Sequence, residues 1–419
     1  MSKFIITGGN TLQGEYFISG NKNAALPILA ATVLTDEECL IKNVPQITDV
    51  ATMLALLADL GKSIVRAADG SVRITGAVAK SDLENELVQK LRASILFLGP
   101  LLARTGKATL APPGGCVIGR RAVGTHFDAL AALGANIIGA EENYDATLSQ
   151  PRAGRIFLDE VSVTATENVM MCAAAIDGET VIENAACEPH VADLALALKK
   201  MGAMISGEET NRLVIRGRKK LDGFEHTVAP DHIEAGTMII ASACTQGRMI
   251  IHDARRSHLR PMLIYLERLG VRVKFLDDKT LEVFPSELKA PSVKIQTRPW
   301  PGFPTDLMSP LIVLATQASG MTLCHDWMYE SRMFFVDKLI AMGANITQCD
   351  PHRVIVIGPT QLRAQKLSSP DIRAGIALVI AALAASGTST IDNVELIDRG
   401  YEDLVLRLKK LGAEIAREP

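Results

Sequence analysis

The chain has 419 residues, 48% of them hydrophobic, and a formal net charge of −3 from 44 Lys plus Arg against 47 Asp plus Glu. That much apolar material excludes a disordered chain, and the near balance of charge lacks the bulk signature of a nucleic-acid binder. Aromatic residues at 4% leave little for base-stacking platforms or membrane aromatic belts.

From the N-terminus, the segment MSKFIITGG reads as a strand and lacks the apolar run of a signal peptide. Ser19-Gly20-Asn21-Lys22-Asn23-Ala24-Ala25-Leu26-Pro27 follows as a strand-to-helix turn. Lys22 at its tip could hold an anion beside free backbone N–H groups, or could be an ordinary exposed lysine in a turn. Beyond this point the chain repeats itself. Six times a helix-like apolar stretch ends in Leu-Gly or Met-Gly and runs into a short strand, at Gly61, Gly134, Gly202, Gly270, Gly343 and Gly412, with spacings of 73, 68, 68, 73 and 69. Each glycine suits the left-handed position that ends a helix. In five units a β-rich run ending at Asn43, Asn184, Asp253, Asp326 or Asn393 precedes the glycine by 17 to 19 residues. In the second unit the matching residue is Pro112, 22 before Gly134, so three to five residues are added within Pro112-Pro113-Gly114-Gly115-Cys116. The scaffold does not need an insertion confined to one copy, which makes it a place to look for function.

Units that mix strands with helices predict an α/β fold of sheets packed around helices. Six units of about seventy residues are too many for one core, which predicts two domains of three units each. The midpoint falls near Ala229-Pro230-Asp231. The expected domains are 22–229 and 1–21 plus 230–419, with two chain crossings and a hinge. Two uncharged runs, Leu307 to Cys324 and Ala374 to Ile391, read as buried helices followed by a turn and a strand rather than as membrane spans. Seven cysteines without a C-x-x-C pair disfavour a disulfide framework or a zinc site and point to a reducing cytoplasm.

Three places carry candidate chemistry. The segment from Pro112 to Thr125 presents Cys116 in a Pro/Gly loop beside Arg120 and Arg121, cations that could lower the thiol pKa or hold a phosphate. The alternative is a cysteine packed as a small apolar group, the default for the other six. Trp300-Pro301-Gly302-Phe303-Pro304-Thr305-Asp306 forms a rigid turn that places Asp306 at the start of a helix, where it could be catalytic, or where Thr305 or Asp306 could simply cap that helix. Arg332, Arg373 and Arg399 each lie within two residues of an acid, and so read either as salt-bridged surface arginines or as a convergent anion site. Arg92, placed on a helix over residues 90–95, passes for a solvated face.

Together these residues resemble the UDP-N-acetylglucosamine 1-carboxyvinyltransferase family over essentially the whole chain. The resemblance rests on GNKNAALP (20–27), LRAS (91–94), PGGCxIG (113–119), ATEN (165–168), PGFPTD (301–306), ESR (330–332), DIRAG (371–375) and DRGYE (398–402). It implies a two-domain inside-out α/β barrel built from six repeats, helices inside and sheets outside. It implies transfer of the enolpyruvyl group from phosphoenolpyruvate to the 3′-hydroxyl of UDP-N-acetylglucosamine, the first committed step of peptidoglycan precursor synthesis. The same resemblance implies a cytoplasmic enzyme serving cell-wall formation, cell shape and division, with no cofactor, no metal, and no nucleic-acid or membrane partner.

Residue by residue, the resemblance makes Lys22, Arg121 and Arg399 the phosphoenolpyruvate ligands, helped by Asn23, Arg332 and Arg373. Cys116 becomes the thiol that protonates the methylene carbon and can form a covalent adduct, and Asp306 the group that receives the hydroxyl proton. Arg92 and Met328 contact the nucleotide sugar, and Ala122, Val123, Ser162 and Thr164 complete the substrate-binding set. The chemistry is coherent: protonating the enol carbon leaves a cationic centre for the hydroxyl to attack, and several cations can neutralise the departing phosphate without a metal. Departures from the family pattern cluster together. Where the family often reads RPVDLH, this chain has Arg121-Ala122-Val123-Gly124-Thr125-His126, and Glu160 and Thr164 stand where the family has Lys and Gly. A paralogue acting on a different nucleotide or sugar is therefore the main alternative. The related 5-enolpyruvylshikimate-3-phosphate synthases usually begin Lys-Ser, where this chain has Lys22-Asn23, and lack the cysteine loop. A silent regulatory protein would have no reason to keep Lys22, Cys116, Asp306 and Arg399 together.

Overall fold

The computed structural model describes residues 2–84, 86–114, 123–139 and 143–419. They fall into two compact units, one of residues 20–114 and 123–229, the other of 2–19 and 230–419. Among the described residues the strands assemble into six four-stranded sheets, three in each unit. All six sheets share one topology. In the sheet around Gly320–His325, the short strand Ile295–Gln296 runs parallel to it on one side, while Arg353–Gly358 and then Asn345–Asp350 follow antiparallel on the other.

Each repeat begins with a helix made almost wholly of small and aliphatic residues. Such a helix has no polar face and can only be buried. His232–Cys244 is buried at every position, and Ile372–Ala384 is buried from Ile372 to Leu383. With Met308–Gln317 these two form the centre of their unit, and Lys22–Ala31, Leu98–Thr105 and Val163–Ala174 do so in the other. The sheets cover these helices with alternating buried and exposed positions, as in Arg212–Gly217 and Arg353–Gly358. Both uncharged runs take the predicted form: Met308–Gln317 leads into the strand Gly320–His325, and Ile372–Ala384 into Thr388–Asp392. Among the described residues no helix is long and apolar enough to cross a membrane.

Each unit closes on itself with a strand from outside its own repeat order. Phe224–Thr227 lies parallel to Cys39–Lys42, with Phe224 opposite Cys39. In the other unit Gln13–Phe17 lies parallel to Arg248–His252, and Lys3–Thr7 is inserted between Thr388–Asp392 and Glu414–Glu418.

The repeat marks have the expected conformation. Gly61, Gly134, Gly202, Gly270, Gly343 and Gly412 all have φ between 90° and 101°. Asn43, Asn184, Asp253 and Asn393 are also left-handed, with φ of 56°, 57°, 61° and 59°. The side-chain amides of Asn43, Asn184 and Asn393 donate to Val228 O, Leu158 O and Ser368 Oγ at 2.8–2.9 Å, tying the turn to the end of the parallel edge strand. One alignment needs correcting. The marker residue follows directly on the central strand, so in the second repeat, where that strand is Lys107–Leu110, it is Ala111 and not Pro112. The interval to Gly134 is then 23 residues, and the insertion four to six.

Candidate active site

In the unit containing residues 230–419, the turn Thr305–Leu307 carries Asp306 into a nest of arginines. Arg332 Nη2 donates to Asp306 Oδ1 at 3.3 Å, and Arg373 Nη2 pairs with Oδ2 at 2.8 Å. The arginine side chains are 2% and 8% exposed while Asp306 is 27% exposed, so the carboxylate is the member that faces solvent. Neither Thr305 nor Asp306 stands at a cap position: those of the turn and of the helix Met308–Gln317 are Pro304 and Leu307, and neither makes a side-chain capping bond. The Thr305 hydroxyl donates to Asp326 Oδ2. Two of the acids beside the arginines in sequence are bonded elsewhere. Asp371 caps Ile372–Ala384, accepting from the N–H groups of Arg373 and Ala374, and Asp398 pairs with Arg417 at 2.7 Å. Arg332 and Arg373 thus converge on one acid, Asp306, and are buried pairs rather than surface ion pairs.

Arg373 Nη1 also donates to Tyr401 Oη at 3.3 Å, which lies 3.0 Å from Thr237 Oγ1. Burial opposes the Arg373 charge, but Asp306, Tyr401 and Asp231 outweigh it and hold its pKa above the ordinary arginine value. Asp231 caps His232–Cys244 through Ile233 N and Glu234 N. His232 is pushed down to about 3, by burial first and then by His258, so this ring is neutral; it meets Trp300 edge-on at 5.7 Å. Arg399 is half-buried in the turn before Tyr401, and Met328, also half-buried, donates its backbone N–H to Asp326 Oδ1 at 3.0 Å. Two fixed cations around a partly exposed carboxylate can hold an anion and accept a proton from a hydroxyl.

In the unit containing residues 20–229, Lys22 is the first residue of the helix Lys22–Ala31, which Asn21 caps through the N–H groups of Asn23 and Ala24. Its Nζ lies 2.5 Å from Asp49 Oδ2, with the two side chains only 11% and 5% exposed. The lysine is thus a buried, paired cation and not an exposed turn residue. Asn23 beside it is half-buried. Arg92 is half-buried and opens the 3-10 turn Arg92–Phe97 after the helix Glu86–Lys90, where an α-helix over 90–95 was expected. Cys116, Arg120, Arg121 and Ala122 lie outside the described residues.

Two of the departures from the family pattern, Thr125 and Thr164, make hydrogen bonds across segments. Asn168 Oδ1 accepts from Gly99 N at 2.7 Å, so its Nδ2 donates to Ile95 O at 2.7 Å and to His126 Nδ1 at 3.0 Å. The ring therefore carries its proton on Nε2, which donates to Thr164 Oγ1 at 3.0 Å. Thr125 Oγ1 donates to Asp159 Oδ1 at 2.7 Å, and Ser162 caps Val163–Ala174. Val123 stands at the cap of Gly124–Ala132, Gly124 has open space where a Cβ would stand, and Glu160 is exposed.

The family model for EPSP synthase (3-phosphoshikimate 1-carboxyvinyltransferase) matches residues 6–408. The UDP-N-acetylglucosamine 1-carboxyvinyltransferase of Treponema denticola is 48% identical, over 99% of this chain and 99% of that protein. That of Bradyrhizobium diazoefficiens is 46% identical over 100% of this chain and 98% of its own length. The chain belongs to the UDP-N-acetylglucosamine 1-carboxyvinyltransferase family. The enolpyruvyl transferase NikO from Streptomyces tendae matches in structure with a TM-score of 0.89 at 26% identity, over 100% of this chain and 99% of that one. An EPSP synthase from Acinetobacter baumannii matches with a TM-score of 0.76 at 18% identity, covering 100% of both chains, a likeness of fold alone. As a member of this family the chain is a carboxyvinyl (enolpyruvyl) transferase.

Asp49 escaped the sequence reading altogether. Asp231, Asp326, His126, Asn168 and Tyr401 were marked only as a midpoint, repeat or motif positions, and their side-chain roles follow from contacts between elements that local spacing does not reveal. Burial also separates the described cysteines. It pushes the thiols of Cys39 and Cys187 up to about 11, those of Cys172 and Cys324 up to about 12 and that of Cys244 higher still, so none of these five is a ready thiolate at neutral pH. Among the described residues no group of three or more His, Cys, Asp or Glu is arranged to hold a metal ion.

Proposed function

We propose that this enzyme transfers the enolpyruvyl group of phosphoenolpyruvate to the 3′-hydroxyl of UDP-N-acetylglucosamine in the cytoplasm, supplying the peptidoglycan on which cell shape and division depend. Lys22, Arg121 and Arg399 hold phosphoenolpyruvate, with Asn23, Arg332 and Arg373 assisting. Cys116 delivers a proton to C3, or adds covalently at C2. The 3′-hydroxyl oxygen bonds to C2 while its proton passes to Asp306. Loss of a C3 proton and of the phosphate then restores the double bond, leaving the enolpyruvyl ether and inorganic phosphate. Arg92, Met328, Ser162, Thr164, Val123 and Ala122 bind the nucleotide sugar. The observation that carries this reading is end-to-end identity of 48% with a carboxyvinyltransferase of that name, together with Lys22, Cys116, Asp306 and Arg399 in one chain.

A second reading, a paralogue using another nucleotide or sugar, is favoured by the Thr164–His126–Asn168 chain and by Glu160. Phosphate release from phosphoenolpyruvate across a panel of nucleotide sugars separates the two. UDP-N-acetylglucosamine should be the preferred acceptor, and preference for another would establish the paralogue. In calorimetric titration Glu160→Lys should tighten UDP-N-acetylglucosamine by roughly ten- to a hundredfold, the worth of one charge-assisted contact, and the gain should shrink in high salt. Tight wild-type binding that the substitution leaves unchanged would mean that other residues hold the diphosphate.

A further inference from the structure

We infer that Asp326 is a positioning residue that sets Asp306 and Arg332 in place through Thr305, an inference that rests on the role proposed for Asp306. Asp326 stands directly after the central strand Gly320–His325, the place occupied by Asn43, Asn184, Asp253 and Asn393 in sister repeats. Those four turn the chain in the left-handed conformation, which short polar side chains tolerate. Asp326 is not left-handed, and its side chain is turned inward and 0% exposed. Oδ1 accepts from the Thr297 hydroxyl at 3.1 Å and from Met328 N at 3.0 Å. Oδ2 accepts from the Thr305 hydroxyl and lies 4.0 Å from Arg332 Nε. The backbone of Asp326 is pinned as well: its N–H donates to His352 O at 2.8 Å, and its carbonyl lies 2.8 Å from His352 Nδ1.

A buried carboxylate is stable only when its lone pairs are filled. Here the donors come from the end of the edge strand, the turn that carries Asp306 and the loop that carries Met328 and Arg332. Thr305 adjoins Asp306, so the bond from its hydroxyl fixes how the turn enters. Arg332 stands between the two acids, its Nη2 3.3 Å from Asp306 Oδ1 and its Nε, with no hydrogen-bond partner among the described residues, 4.0 Å from Asp326 Oδ2. The sister repeats use this corner to turn the chain, whereas here it holds a proton acceptor in register with its cations. Misplacing such a group by about 1 Å can cost on the order of 100-fold in turnover.

Thr305→Val removes the hydroxyl and keeps the shape. It should lower kcat about 10- to 100-fold while KM for phosphoenolpyruvate and acceptor stays within about twofold, and Thr305→Ser should restore kcat. Asp326→Asn turns an amide N–H toward Thr305 and Arg332, and should lower kcat in the same way; it decides the matter if Thr305→Val does not fold. Crystal structures of the variants give a readout independent of the acceptor, and in each the Asp306 carboxylate should leave at least one of its two arginines. Wild-type kcat in both variants, or Asp306 unmoved in both, would overturn the inference. Failure of the wild type to turn over any acceptor would instead strike at the proposed function, and the Asp306 positions would still decide this inference.

Discussion

Glu167, in the ATEN segment, illustrates how a motif residue acquires its chemistry from its surroundings. It is 1% exposed, and its Oε1 has no hydrogen-bond partner among the described residues. Burial, and after it the charge of Glu188, push its carboxyl well above the ordinary carboxylate range. Above the unfolded carboxyl's pKa of about 4.3, the folded chain keeps a proton that the unfolded chain has released, so this group lowers stability as pH rises through that range. Glu167→Gln is neutral throughout. It should therefore melt higher than wild type at about pH 8, with the difference closing at about pH 4, below the unfolded pKa. A calorimetric difference that stays constant between those limits would mean that the folded carboxyl is already ionised. The motif marked Glu167 in the sequence, but its protonation follows from the packing of Val163–Ala174 and the nearness of Glu188.

At the scale of elements, the six helix-ending glycines share a conformation but not surroundings. Gly343 has φ 96°, and a Cβ there would meet nothing closer than Gln361 O at 4.0 Å. Gly270 has φ 90°, but a Cβ there would meet Glu287 O at 2.3 Å. Gly343→Ala should thus lose only the left-handed penalty, about 1–2 kcal/mol, while Gly270→Ala should lose more because backbone must move. Denaturant unfolding of both variants tests the order, and equal losses would show that the loop carrying Glu287 yields freely. The glycine spacing made all six turns legible in the sequence. Which of them are crowded depends on the neighbouring loop, and no spacing reports that.

At the scale of the whole molecule, closure of the unit containing residues 230–419 depends on the other end of the chain. Lys3–Thr7 pairs on both edges, with Thr388–Asp392 and with Glu414–Glu418, and Phe4 and Ile6 are buried in the core behind it. Removing residues 1–9 would strip both ladders and open two unpaired edges. Hydrogen exchange should then show Thr388–Asp392 and Glu414–Glu418 losing protection in the truncated chain. Protection equal to that of the full chain would mean that the sheet closes without the strand.

The sequence by itself determined the repeat: six turns, the helices between them, their apolar character and the segment where one copy is longer. These are written in local spacing and composition, because a helix end and a buried helix each depend on residues that are neighbours along the chain. It also marked Lys22, Asp306, Arg332 and Arg373, through the family they resemble. Only the tertiary structure decided how these residues pair. The acids adjacent to Arg373 and Arg399 looked like their partners, yet Asp371 is used by the helix N–H groups behind it and Asp398 by Arg417. Lys22 finds Asp49, Asp306 finds Arg332 and Arg373, and Thr164 finds His126. Each of these pairs joins different elements of the fold. Their separation along the chain is set by the lengths of the strands and loops between them, so no period reveals them, and burial makes each pairing obligatory once the elements pack.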